Sequence, residues 1–127
     1  MTVVATRAAK MMAAEPNEIS PHRVIALLLD GALERIGQAK MCLAENNQKD
    51  FEVLLVKTVG ILNGLRSSLD FEKGGEIAAN LDSIYDYVAD KLIQQHNPEA
   101  LAEAEHLLSE IKLGWDGITD QATSIAR

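Results

Sequence analysis

The sequence predicts an all-α protein, an antiparallel up-down-up-down four-helix bundle with a loosely held N-terminal arm. Three observations carry that expectation. Apolar residues recur at helical spacing through four segments. Two of those segments open on a capping residue followed by proline, at Ser20-Pro21 and Asn97-Pro98. Aromatics make up only 4% of the chain while Ala, Leu, Ile and Glu dominate, a mixture that favours helix over sheet. A length of 127 residues suits one core. The chain divides into an arm over 1–19 and a bundle over 20–127.

The first helix starts at Ser20-Pro21, where serine can cap free amides and proline loses nothing by lacking an N–H. Ile25, Leu28, Leu29, Ala32, Ile36, Ala39 and Leu43 then keep helical register until "ENNQKD" breaks it. The second helix, from near Asp50, shows a heptad-like seam of Phe51, Leu55, Thr58, Leu62, Leu65 and Leu69. The third follows Gly74-Gly75 with Ile77, Leu81, Ile84, Tyr85, Val88 and Leu92. Asn97-Pro98-Glu99 opens the fourth, which carries Leu101, Ala104, Leu107, Leu108, Ile111, Trp115 and Ile118, with Ala122 and Ile125 as further candidates. Short connections make neighbours antiparallel. Leu62, Leu81, Ile84, Leu108 and Ile111 are the expected heart of the core.

Charge narrows the function. Twelve basic against nineteen acidic side chains leave a formal charge of −7 and no basic cluster to meet phosphates, which argues against nucleic-acid binding. One cysteine, Cys42, rules out an intrachain disulfide and a thiolate metal cluster. No run of about 18 apolar residues appears, and the N-terminus lacks a signal-peptide pattern. A soluble, cytoplasmic protein without membrane insertion is expected.

Catalysis finds no support. Glu103 and His106 have the Glu-x-x-His spacing of di-iron bundles, but such sites need a second copy and two further glutamates facing inward. At about 100° per residue the pair points away from the Leu107/Ile111/Trp115 stripe, so a solvated face is expected. His22 and His96 sit near helix ends, where a polar ring is unremarkable. Gly74-Gly75 lacks the spacing and the lysine of a phosphate loop. Cys42 has no helix N-terminus or basic neighbour to lower its pKa and reads as structural. Neither a catalytic residue, a cofactor nor a metal is expected.

The functional signal is the far face of the second helix. Opposite its seam lie Val53, Val56, Gly60, Gly64 and Ser67, a stripe that is apolar, shallow and uncharged. A helix packed on one side only should be polar there. Two mid-helix glycines each cost about 1 kcal/mol relative to alanine, which close approach of another helix would offset. Val24, Leu27 and Gly31 lie off the core stripe of the first helix and can extend the surface. Permanent cover by the arm, a homodimer seam and an exchangeable groove for an amphipathic helix would all produce this pattern.

"SPHRVIALLLDGAL" (Ser20 to Leu33), "LRSSLDFEKGGEIAANLDSIYDY" (Leu65 to Tyr87) and "LLSEIKLGWDGI" (Leu107 to Ile118) closely resemble the flagellar secretion chaperone family. The resemblance spans nearly the whole expected bundle. It implies a chaperone of bacterial flagellum biogenesis and protein secretion, without an active site. Such a chaperone binds the disordered C-terminal region of flagellin as that region folds into helices, prevents premature polymerisation and delivers the subunit to the flagellar export apparatus. It also implies an anti-sigma factor as a second possible partner. Asp70, Gly74 and Gly75 are expected to close the turn between the second and third helices, the glycines adopting angles that other residues avoid. Glu76 then falls in the first turn of the third helix, where its charge is favourable. The family's arm usually carries tyrosines and covers the groove until flagellin displaces it. The arm here has none, and Met11 and Met12 are the adaptable apolar residues available for that cap.

Overall fold

A computed structural model of the chain describes residues 20–118. They form four helices, α1 Pro21–Ala44, α2 Gln48–Ser67, α3 Phe71–Gln94 and α4 Pro98–Asp116, joined by links of three residues. The expected arm with Met11 and Met12, and Ala122 and Ile125 at the other end, lie outside the described residues.

Each helix start is fixed by a side chain that accepts an otherwise unpaired backbone N–H. Ser20 accepts from Arg23, Asn47 from Asp50, Asp70 from Lys73 and Asn97 from Ala100. Pro21 and Pro98 take early helical positions where no N–H is needed. The four starts lie within about four residues of the expected ones, which is the usual uncertainty of an end read from pattern.

α1 packs against α2 and α4, and α3 packs against the same two helices, so the four close a ring. Along α1 and α4 the partners run in opposite order: His22 meets Trp115, Asp30 meets Lys112 and Lys40 meets Glu105. Arg66 of α2 meets Asp82 of α3, while Leu55 and Leu92 come together nearer the other end. Both pairs are therefore antiparallel, as links this short require.

The expected α2 seam is buried along its length, although its last member, Leu69, lies in the link after the helix. Phe51, Leu55, Thr58, Leu62, Leu65 and Leu69 are all buried, and Thr58 satisfies its hydroxyl by donating to the Leu54 carbonyl at 2.8 Å. Leu108 is fully buried as expected, but Leu81, Ile84 and Ile111 are only partly buried. Of the expected α3 stripe, Tyr85, Val88 and Leu92 fill the core, with Ala78 and Ala89, whereas Ile77 is 55% exposed. Small residues also line the other contacts: Ala32 and Ala39 on α1, Ala100 and Ala104 on α4. An apolar-size pattern undervalues alanine, and burial here follows close helix approach rather than side-chain bulk.

The glycine pair differs from expectation. The link between α2 and α3 is Ser68–Asp70, and Asp70 is the cap of α3, so Gly74 and Gly75 lie about one turn inside that helix. Gly74 N–H already donates to the Asp70 carbonyl at 2.7 Å. Gly75 breaks the helix with φ 53° and ψ −127°, the first-corner geometry of a type II′ turn. The glycine therefore supplies the special backbone angle that was expected. It uses it to kink a helix after one turn rather than to join two helices.

The ring is fastened where α1 begins and α4 ends. The rings of His22 and Trp115 stack 5.2 Å apart at 9°. His22 Nε2 donates to the Trp115 carbonyl at 2.8 Å, and Trp115 Nε1 donates to the His22 carbonyl at 2.9 Å. His22, unremarkable by position, is half of a reciprocal clasp between residues 93 apart in sequence.

Candidate partner-binding groove

An apolar groove of about 510 Å³ runs between α2 and α3, lined by Glu52, Leu55, Val56, Val59, Leu92, Ile93 and His96. Its floor belongs to the core, since Leu55 and Leu92 are buried. Its walls do not: Val56 is 72% exposed and Ile93 57%. Apolar walls left in water over an already filled core contribute nothing to folding, which makes them candidates for contact with a partner.

The groove's ends are polar. At one, Glu52 accepts a hydrogen bond from Gln48 at 3.0 Å, and the His96 ring meets the edge of Phe51 at 5.4 Å between centroids. Toward the other, the Arg66 guanidinium of α2 bridges to α3. Its Nε lies 2.7 Å from Asp82 Oδ1 and its Nη1 lies 3.0 Å from Asp86 Oδ1. The Asp82 hydrogen bond, with the nearby charges of Asp86 and Asp90, holds the guanidinium pKa above its ordinary value against a partial desolvation.

Of the expected contact residues, Val56 alone lines this groove. Val53, 48% exposed, lies with Gly60 and Gly64 on the outward face of α2. A methyl group added at Gly60 or Gly64 would meet nothing within 4 Å, so helix packing within the described bundle does not account for them. On α1, Val24 and Gly31 are half-buried and Leu27 is 37% exposed. A Cβ at Gly31 would lie 3.6 Å from Ile61, which places that glycine beside the α1–α2 contact. The other wall, Leu92 and Ile93 of α3 with His96 of the following link, is not marked as a groove by the sequence. Its signal was Ile93, apolar and one residue past the core position Leu92 on an otherwise polar helix end.

The Glu103/His106 pair is only half as expected. His106 is exposed, but Glu103 belongs to an interhelix network. It accepts from Tyr87 Oη of α3 and pairs with Lys91 Nζ, both at 2.9 Å. Those hydrogen bonds, Lys91 first, hold its pKa below the ordinary value. No cluster of three metal-ligating side chains occurs among the described residues. Cys42 is a free, half-buried thiol, pushed up by partial burial and then by Asp50 and Glu45. None of the described helices is long and apolar enough to cross a membrane.

The described residues thus form a four-helix ring with an open apolar groove between α2 and α3. Residues 5–122 match the family described as flagellar protein FliS, and the chain belongs to that family. It is 40% identical over 109 residues to the flagellar secretion chaperone FliSB of Pseudomonas aeruginosa, covering 84% of this chain and 86% of that one. Identity to the flagellar secretion chaperone FliS of Salmonella typhimurium is 39%, over 82% of this chain and 80% of the relative. The Vibrio cholerae protein of the same name is 36% identical, with 78% and 75% covered. All three relatives are named flagellar secretion chaperones.

Proposed function

We propose that the chain is a cytoplasmic flagellar export chaperone that holds the disordered C-terminal region of flagellin as helices until export. The observation that carries this reading is the α2–α3 groove, where Val56 and Ile93 stand exposed above a completed core. Family membership supplies the biological setting. The groove is walled by helices whose own backbone groups are already paired. It offers an incoming chain no ladder of donors and acceptors, so the occupant must satisfy its backbone internally. An amphipathic helix does so and presents an apolar stripe. Val53, Gly60 and Gly64 on the outward face of α2, with Val24, Leu27 and Gly31 on α1, extend the surface along which a longer client can continue. Prevention of premature polymerisation follows if the client segment needed for subunit contacts is the one sequestered.

The test is calorimetric titration with a flagellin C-terminal fragment, with the fold checked by circular dichroism. Val56→Asp puts a charge where the complex excludes water, and the expected loss is at least about tenfold, about 1.4 kcal/mol. Wild-type affinity in a folded Val56→Asp protein would remove the groove from the proposal. A stable dimer that ignores the fragment would favour a homodimer seam in its place.

A further inference from the structure

We propose that the α2–α3 groove selects client helices whose apolar stripe is flanked by lysine or arginine, through an acidic rim formed by Glu52, Asp86 and Asp90. This rests on the reading of the groove as a helix-binding site and adds the charge chemistry of its occupant. On α3, Asp82, Asp86 and Asp90 are spaced one turn apart and lead to Ile93, so one ridge carries the carboxylates and then the groove wall. On α2, Glu52 and Val56 are likewise one turn apart, and Arg66 closes the same side further along.

Four carboxylates therefore stand along this seam against two cations, Arg66 and, at its far end, Lys49, and Arg66 is already shared between Asp82 and Asp86. Asp90 is exposed and has no ion pair within 4.0 Å among the described residues. Among the described residues Glu52 has only the neutral Gln48 amide as partner. Of the nearby lysines, Lys91 pairs with Glu103 of α4, Lys57 falls on the opposite flank of α2 from Val56 and Val59, and Lys49, one turn before Glu52, is an exposed cation at the far end of the seam. An apolar stripe supplies contact area for any amphipathic helix. A negative rim distinguishes among them, because like charges brought together as water leaves are penalised and opposite charges are not.

Two synthetic amphipathic 18-residue peptides test this. They share one leucine stripe at helical spacing, and their flanking positions are all Lys in one and all Glu in the other. By fluorescence anisotropy in about 50 mM salt, the Lys-flanked peptide should bind at least about tenfold more tightly, and the gap should shrink several-fold in about 0.5 M salt. Glu52→Lys with Asp90→Lys should abolish or invert the preference. An equal change of net charge at the exposed Glu34 and Glu110, on other faces, should leave most of it in place. Val56→Asp should weaken both peptides. Equal binding of the two peptides, no binding of either, or a preference that follows net charge wherever it is changed would overturn the proposal. A flagellin fragment titrated in parallel separates the two levels. If the fragment binds through Val56 but ignores the rim variants, the charge rule falls and the chaperone reading stands. If the peptides are discriminated and the fragment does not bind, the reverse holds.

Discussion

At the scale of single residues, the glycines of α2 present a cost with no visible return inside the fold. Gly60 and Gly64 sit in regular helix with open space where a side chain would be. Replacing each with alanine should stabilise the protein by up to about 1 kcal/mol, since alanine is the better helix former and nothing is displaced. If the surface is used for close approach by a client helix, the same substitutions should weaken binding while raising the urea midpoint. That opposed pair of effects separates a functional glycine from an incidental one. Leu62 behaves in the ordinary way. It is fully buried in the seam, and Leu62→Ala should cost about 2–5 kcal/mol. A loss under about 1 kcal/mol in urea melts would contradict its placement.

At the scale of elements, the sequence was most legible where pattern and packing coincide. The seam of α2 could be read because a helix held on one side must repeat its apolar residues at that interval, and its five members are buried together with Leu69 of the following link. Ser20-Pro21 and Asn97-Pro98 could be read because capping is local chemistry, settled within four residues. The α3 core was less legible, for two reasons. Its alanines carry burial that size-based reading assigns to Leu81 and Ile84, and Gly75 breaks the helix after its first turn. The groove could be read only by half. Rotation about α2 exposes Val56, but Ile93 comes from a helix whose placement beside α2 is a property of the ring. The pairing of His22 with Trp115, 93 residues apart, is invisible to any local pattern. Gly75 supplies this scale's test. At φ 53° an added Cβ is strained even with free space around it, so Gly75→Ala should destabilise by about 1–3 kcal/mol. That is opposite in sign to alanine at Gly60 or Gly64, and a neutral or stabilising Gly75→Ala would show that the kink is not maintained in solution.

At the scale of the whole molecule, the titratable groups define a pH window for the bundle. Glu103 has a lowered pKa, so its contribution is present above the ordinary carboxylate value and is lost as pH falls through its folded value. On the alkaline side the signs reverse. Lys91 is raised by its hydrogen bond to Glu103, and Lys112 by its hydrogen bonds to Asp116 and Asp30. What each contributes is present below the ordinary lysine value and fades as pH rises through the folded one. Tyr85 is the strongest case, because its phenol is 1% exposed and burial raises its pKa well beyond the usual tyrosine range. Below about pH 10 the phenol is neutral in both folded and unfolded chains, and it imposes no pH dependence. Above that, the unfolded chain releases the proton while the folded one keeps it, so stability falls with a limiting slope of about 1.4 kcal/mol per pH unit. Urea midpoints should therefore hold steady from neutral pH to about 9 and drop sharply by about 11. Tyr85→Phe keeps the buried ring and removes the proton, and its midpoint should decline much less over the same interval. Equal declines in the two proteins would show that the lysine pairs, not the buried phenol between α3 and the core, set the alkaline limit of the fold.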